Sequence, residues 1–143
     1  MDDLDHRLLA ALAANSSLPT STLARDLGMA RSTVQARIEK LERAGVIAGY
    51  TIRLGDVPGH RRIRATVLLQ IEPRATPSVL QRLKPMPAVE SCQTASGRVD
   101  LILSLSVEST EALDAALDQI GAIPGVKGSE ILSHLSTKFD RRV

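Results

Sequence analysis

The spacing of apolar residues changes period partway along this chain of 143 residues, and that change limits the possible folds more than any other feature. Up to residue 45, leucine, isoleucine, valine and alanine recur every three or four positions, as in amphipathic helices. From residue 63 onwards they recur at every second position in several stretches, as in strands with one buried face. The sequence therefore predicts a helical part followed by a part that mixes strands and helices.

Three helices are predicted before residue 45. The first covers residues 4–14. The second has a candidate N-cap in Pro19-Thr20 and stops at Gly28, and the third ends where Gly45 suits a helix C-terminus. A short helix, a glycine turn and a longer helix follow one another in the order of a helix-turn-helix. The buried face of the third helix is predicted to contain Ala30, Val34, Ile38 and Leu41.

The opposite face of the third helix carries side chains suited to DNA. In a helix-turn-helix, the first turns of the second helix of the motif enter the major groove. Arginine suits guanine, glutamine suits adenine, and an alanine methyl group suits thymine. We therefore predict base contacts from Arg31, Ser32, Gln35 and Ala36. Contacts to phosphates are predicted from Arg25, Thr33, Arg37, Lys40 and Arg43.

The charge of the chain is concentrated in its first half. Residues 6–64 hold ten Lys or Arg and four Asp or Glu, a net charge of +6, whereas residues 65–143 have a net charge of −1. A basic part joined to a neutral part is typical of a polyanion-binding module carried on a second module. The alternative is a solvated basic face, in which Glu39 and Glu42 pair locally with Lys40 and Arg43.

The stretch after the third helix is predicted to connect two domains. Residues 46–54 are β-prone and predict a strand, and the glycine and proline of residues 55–59 predict a loop. Tyr50, the one tyrosine, suits packing better than base stacking. We therefore expect a helix-turn-helix domain over residues 1–50, a linker strand and loop over 51–62, and a second domain over 63–143.

The second domain is predicted to contain the order strand, helix, strand, strand, helix, strand. The predicted ranges are 63–71, 77–84, 89–94, 100–107, a helix capped by Ser109, and a last strand over 131–139, with a hairpin turn at residues 96–98. This order is the ferredoxin-like arrangement, with both helices on one face of an antiparallel sheet. The other face carries Leu68 and Ile102, so we expect a second copy of the chain to cover it in a homodimer.

The sequence lacks the residues that several classes of function require. Cys92 is the one cysteine, and histidines at positions 6, 60 and 134 have no metal-ligand spacing, so neither a disulfide nor a metal site is expected. The acidic start and the strand-length apolar stretches predict a cytoplasmic protein that is neither exported nor membrane-spanning. No nucleophile motif, phosphate loop or carboxylate pair is present, so we expect no catalytic residue and no cofactor.

Three segments of the sequence resemble a known family. They are LDHRLLAALAANSSLPTSTLARDLGMARSTVQARIEKLERAGVIAGY in the first half, and ASGRVDLILSLSV with IPGV in the second. Over nearly the whole chain these are similar to the Lrp/AsnC (feast/famine) transcriptional regulators. The resemblance implies an α+β fold, with an N-terminal (winged) helix-turn-helix domain followed by a ferredoxin-like effector and oligomerisation domain. It also implies dimers that often form octamers, double-stranded DNA as partner, and an amino acid effector between the C-terminal domains of neighbouring dimers.

The resemblance also implies an effector pocket. Its residues here would be Gly97, Val99 and Asp100 of the hairpin, with Ser129 and Ile131 of the last strand. Two positions depart from the family pattern, which has an aromatic residue where Val99 stands and a hydroxyl residue where Ile131 stands. The alternative interpretation is that Gly97 only permits the turn, and that Asp100 accepts hydrogen bonds from nearby backbone amides.

Two other functions compete with regulation. Siroheme decarboxylases resemble the same family in both domains, but they are expected to have histidines and aromatic residues around a tetrapyrrole. This chain has one Phe, one Tyr, no Trp, and only His134 in its second domain. The other alternative is a bare effector-binding protein with a vestigial helix-turn-helix, and the polar Arg31, Ser32 and Gln35 argue against it. We therefore predict a sequence-specific DNA-binding regulator without enzymatic activity.

Overall fold

The computed structural model describes residues 1–142, and these residues form two compact units. One unit contains Met1–Gly55 with Arg141 and Arg142, and the other contains Asp56–Asp140. Each unit has its own hydrophobic core. Within residues 1–142 no helix combines the length and apolar character that crossing a membrane requires.

The first unit is the predicted helix-turn-helix. Helix α1 covers Asp3–Ala14, α2 covers Thr20–Leu27 and α3 covers Arg31–Arg43. Gly28 and Gly45 end α2 and α3 with φ angles of 67° and 74°, a left-handed conformation that glycine adopts without strain. The predicted buried face of α3 is confirmed for Val34, Ile38 and Leu41, which form a core with Leu8, Leu23 and Ala24. It is wrong for Ala30, which is exposed because it precedes α3 as the N-cap residue.

The helix starts differ from one another in how they are capped. At α1, the Asp2 side chain accepts a hydrogen bond from the Asp5 N–H, and the Asp5 side chain accepts one from the Asp2 N–H. The predicted cap of α2 is wrong, because Pro19 is the N-cap residue without a side-chain acceptor and Thr20 is already helical. Helix α3 starts after Ala30, which also makes no side-chain cap.

The strand predicted after α3 is not formed. Between Arg43 and Ile63 the described residues contain no strand. The wing that the family resemblance implied for the helix-turn-helix is therefore absent from these residues. A strand needs a hydrogen-bonded neighbour, and residues 46–54 have none in a single chain. Their alternating apolar side chains are instead exposed, with Ile52 and Leu54 each 79% accessible.

The second unit has the predicted ferredoxin-like order. Its elements are β1 (Ile63–Ile71), α4 (Thr76–Leu83), β2 (Val89–Thr94), β3 (Leu101–Val107), α5 (Thr110–Gly121) and β4 (Val126–Ser133). The described strands form one antiparallel sheet in the order β2-β3-β1-β4. Both helices pack on one face, since Val79, Leu83, Leu113 and Ile120 share a core with alternate residues of β1 and β3. The predicted Ser109 cap is confirmed, because its side chain accepts a hydrogen bond from the Ala112 N–H.

The last strand lies five residues earlier than predicted. It starts at Val126, directly after a turn in which the Glu72 N–H donates to the Gly125 carbonyl oxygen at 2.8 Å. The prediction of a strand over 131–139 is wrong because pairing with β1 ends at Ser133, apart from one bond from the His134 N–H to the Arg64 carbonyl. Residues 135–139 have no strand beside them to pair with, although they contain apolar side chains.

Candidate functional site

Helix α3 presents two adjacent exposed surfaces. One is a shallow depression that we call the Gln35 surface, lined by Thr20, Arg31, Ser32 and Gln35. The other, which we call the Arg37 surface, is lined by Thr33, Ala36, Arg37 and Lys40 together with Met1, Asp2 and Asp5. The structure thus divides the predicted DNA-contacting residues of α3 into two groups, and it places the second group beside the acidic start of α1.

On the Gln35 surface, a neighbouring carboxylate orients the glutamine amide. Gln35 Nε2 donates a hydrogen bond to Glu39 Oε1 at 3.0 Å, one helical turn away. Because a carboxylate only accepts, this contact directs the amide nitrogen towards Glu39 and leaves Gln35 Oε1 and one N–H free. Adenine offers one donor and one acceptor in the major groove, which matches these two free groups. Sequence reasoning placed Glu39 on the exposed face but did not recognise this contact.

Thr20 is a second member of the Gln35 surface that sequence reasoning missed. It was interpreted as part of a helix cap, but the structure places it in the first turn of α2, in the same depression as Arg31 and Ser32. The start of α2 has no side-chain cap, because the N-cap residue is Pro19. Pro19 could have indicated this arrangement. Because Pro19 is the N-cap residue, Thr20 is the first residue of the helix and its hydroxyl is not needed as a cap.

On the Arg37 surface, the guanidinium is bound to two carboxylates. Arg37 Nη1 lies 2.7 Å from both carboxylate oxygens of Asp2 and 3.0 Å from Asp5 Oδ1. The hydrogen bond from Arg37 lowers the pKa of Asp2 to about 2, and the same contact raises the pKa of Arg37. The prediction of a phosphate contact did not foresee this arrangement, because Asp2 and Arg37 are 35 residues apart in the sequence.

The other arginines and lysines of the motif and of the segment after it differ in whether they form ion pairs with carboxylates. The local pairs of Lys40 with Glu39 and of Arg43 with Glu42 are not formed in the described part of the chain, and Arg25 approaches Asp26 only at 4.0 Å. In contrast, arginines after the motif are bound: Arg61 to Asp56, Arg62 to Ser106 and Glu108, and Arg64 to Glu90. Among the described residues Arg31, Lys40 and Arg43 of the motif have no ion pair, so their charge is available to a polyanion.

In the second unit, the hairpin between β2 and β3 contains the predicted effector residues. Gly97 has a φ angle of 117°, and Val99 is half-buried. Asp100 Oδ2 accepts a hydrogen bond of 2.7 Å from the Ile71 N–H, and the Asp100 N–H donates to the Leu69 carbonyl at 2.8 Å. Asp100 thus holds the hairpin against the end of β1, which is the backbone role considered as the alternative from the sequence.

The two predicted residues of the last strand lie in its middle rather than at its start. Ser129 pairs with Leu69 and Ile131 with Val67, so both belong to the helix-covered side of the sheet. Glu130, between them, faces the other side, where Arg98 Nη1 contacts its carboxylate at 2.5 Å. Gln70 Nε2 completes this group by donating to the Arg98 carbonyl at 3.0 Å. Sequence reasoning missed Gln70, Arg98 and Glu130, because only strand register brings them together.

The acidic, histidine and cysteine side chains were considered as metal ligands. Within residues 1–142 no cluster of three His, Cys, Asp or Glu side chains is arranged to hold a metal ion. His134, the histidine considered for a tetrapyrrole, has its Nε2 at 2.8 Å from Thr66 Oγ1.

Comparison with known proteins identifies both halves of the chain. A family model described as an AsnC-type helix-turn-helix domain matches residues 1–42, and one described as an Lrp/AsnC ligand binding domain matches residues 53–143. The chain is similar to the HTH-type transcriptional regulator LrpA of Mycobacterium tuberculosis, with 31% identity over 128 residues that cover 89% of this chain and 85% of that protein.

Solved structures have the same fold. The leucine response regulatory protein LrpA of Mycobacterium tuberculosis superposes with a TM-score of 0.81 at 30% identity, covering 100% of this chain and 98% of that one. A transcriptional regulator of Neisseria meningitidis, solved as a complex with L-Met, superposes with a TM-score of 0.90 at 22% identity, covering 98% and 93%. At this lower identity the likeness shows the fold.

Proposed function

Because this chain belongs to the Lrp/AsnC family of transcriptional regulators, we propose that it selects its DNA site through the Gln35 surface. One observation carries this proposal: Glu39 orients the Gln35 amide beside the exposed Arg31 and Ser32 and the half-buried Thr20. The first turns of the second motif helix are those that enter the major groove in a helix-turn-helix. An oriented amide loses less conformational freedom on binding a base than a free one.

Each side chain has a distinct role in this proposal. Arg31 and Gln35 read base edges, Ser32 and Ala36 contact bases at close range, and Thr20 donates its hydroxyl to the DNA backbone. Arg25, Thr33 and Lys40 bind phosphates, which gives affinity without sequence information. Arg25 and Lys40 suit this role because both are exposed: Arg25 approaches Asp26 only at 4.0 Å, and within residues 1–142 Lys40 has no ion pair.

The Gln35 surface is tested with a double variant. We expect Arg31→Ala with Gln35→Ala to lose selective binding, since each well-placed pair with a base contributes about 1–3 kcal/mol of discrimination. The measurement is fluorescence anisotropy across a salt series, using DNA from upstream of the chain's own gene and a shuffled duplex.

A matched control keeps the motif intact. Gln81→Ala with Arg82→Ala removes the same two residue types from the exposed side of α4 and should bind like the wild type. If the Arg31 and Gln35 variant binds the upstream DNA as selectively as the wild type, the proposed role of the Gln35 surface is wrong.

For the second unit we propose an amino acid effector bound near the β2–β3 hairpin and β4. The match to a ligand binding domain over residues 53–143 supports this, as does the relative that holds L-Met. Gly97, Val99, Asp100, Ser129 and Ile131 are the proposed pocket residues. Adding single amino acids to the DNA complex should change its anisotropy for at least one of them, and a complete lack of response would contradict the effector.

We also propose that the chain acts as a homodimer that assembles further into an octamer. The sheet face opposite the helices supports this, because Leu68 and Ile102 on it are only half-buried and Leu132 is 49% exposed. A second copy would cover these apolar side chains.

A further inference from the structure

Arg37 is held more firmly than a typical surface arginine. Its side chain is 27% exposed, and the Asp5 side chain that it contacts is 16% exposed. The reciprocal hydrogen bonds of the α1 capping box fix Asp2 and Asp5 relative to each other at 3.2 Å and 2.9 Å. Arg37 therefore meets two carboxylates that are already in place, so little side-chain entropy is lost in forming the contacts.

The charges around Arg37 disfavour a bound phosphate. The Arg37 guanidinium and the carboxylates of Asp2 and Asp5 have a net charge of −1, so a phosphate bound at the Arg37 side chain itself would meet two repelling carboxylates. Lys40 lines the same depression without an ion pair in the described part of the chain. Of the two cations on this surface, Lys40 is thus the one that suits a phosphate.

The contacts of Arg37 connect α3 with the start of α1. Helices α1, α2 and α3 share one apolar cluster, in which Leu8 of α1 lies with Val34 and Ile38 of α3. The pairs from Arg37 to Asp2 and Asp5 add a polar link at the edge of this cluster, where the start of α1 meets α3. A link at this point restrains how α3 rotates and tilts, and base contacts depend on the helix being held within about 0.5 Å of its productive position.

We propose that Arg37 is a positioning residue, which fixes the DNA-reading helix by binding Asp2 and Asp5 instead of contacting DNA. This inference rests on the proposed function, because it assigns Arg37 a role in the same DNA contact. It predicts that removing the two acidic charges weakens selective binding. A model in which the carboxylates merely compete with phosphate predicts the opposite sign.

The first test compares Arg37→Gln with Lys40→Gln in salt titrations of DNA binding. A lost phosphate contact reduces the slope of log affinity against log salt by about 0.9. We expect this reduction for Lys40→Gln, whereas Arg37→Gln should weaken selective binding roughly two- to fivefold with an unchanged slope. A slope that falls equally in the Arg37 variant would overturn the proposal.

The second test uses Asp2→Asn with Asp5→Asn, which keeps side-chain acceptors for the α1 cap. The readout is the ratio of affinities for the upstream and the shuffled DNA, measured well below the unfolding midpoint of each variant. We expect this ratio to fall roughly two- to fivefold, although two negative charges have been removed. A merely stabilising contact would leave the ratio unchanged in a folded protein, and that result, or a rise in both affinities, would overturn the proposal.

Binding by the wild type distinguishes a failure of the proposed function from a failure of the role proposed for Arg37. If the wild type itself does not discriminate the upstream DNA, the proposed function fails, and the DNA role of Arg37 fails with it. If the wild type discriminates and Arg37→Lys restores the ratio of affinities no better than Arg37→Gln, a retained charge is not sufficient. That outcome supports a contact that needs the guanidinium geometry.

Discussion

At the scale of single residues, the pairing of Asp2 with Arg37 has a consequence for stability. The hydrogen bond from Arg37 lowers the pKa of Asp2 from an ordinary value of 3.8 to about 2 in the folded chain. Folding therefore favours the ionised carboxylate. This contribution to stability is fully present above the unfolded pKa and is lost as the pH falls through the folded pKa.

We predict that Asp2→Asn removes this pH dependence. The unfolding temperature of the wild type should exceed that of the variant at neutral pH, and the difference should shrink between about pH 4 and about pH 2. Thermal unfolding followed by circular dichroism across this range measures it. Asp3→Asn, which removes a charge from the same turn without touching Arg37, is the control. A wild-type advantage that stays constant down to the acid limit would contradict the prediction.

Single residues also show where sequence reasoning reached its limit in the site. Of the four predicted base-contacting residues, Arg31, Ser32 and Gln35 share a surface, because helical periodicity places them together. The fourth, Ala36, lines the adjacent Arg37 surface instead. Whether a given cation is free was beyond that reasoning, since Arg37 is paired and Lys40 is not. The assignments of the individual DNA contacts remain predictions.

At the scale of elements, the turn before β4 depends on one glycine. Gly125 has a φ angle of 100°, and a Cβ added there would overlap the Cβ of Ala75, just before α4. We predict that Gly125→Ala lowers the free energy of unfolding by about 1–3 kcal/mol, through backbone strain and overpacking. Urea unfolding measures this change.

A second glycine is the control for this element. Gly121 at the end of α5 has no heavy atom within 4 Å of an added Cβ, so Gly121→Ala should leave stability unchanged or slightly higher. Equal destabilisation by both substitutions would show that the turn geometry is not the cause.

Boundaries of helices and strands were predicted correctly where the residues at the boundary themselves determine it. Strands β1 and β2 were predicted at their observed bounds, and the Ser109 cap and the glycine ends of α2 and α3 were confirmed. The last strand was misplaced because Val126–Glu130 contains Lys, Gly, Ser and Glu, which do not favour strands. Hydrogen bonds to β1 nevertheless make this segment a strand. Residues 46–54 favour a strand by composition but have no neighbouring strand to pair with, so none forms there.

At the scale of the whole molecule, the sheet face opposite the helices is the surface through which we propose that two copies of the chain associate. We predict that Ile102→Glu, which adds a charge to the centre of that face, shifts the full-length chain to a smaller assembly. Light scattering at micromolar concentration measures the mass. Gln81→Glu, with the same charge on the exposed side of α4, should keep the wild-type mass. An Ile102→Glu protein of wild-type mass would contradict the proposed dimer face.

The fold of this protein follows from signals that lie within a few residues of one another. Apolar periods of about four and of two, turn glycines and a serine cap were enough to predict the helix-turn-helix and the ferredoxin-like order, because each reflects local backbone geometry. The partners of Arg37 and Arg98 were not predictable in this way, since those ion pairs join residues 35 and 32 positions apart. Their formation depends on packing and strand register, which bring distant charges within hydrogen-bond distance only in the folded chain.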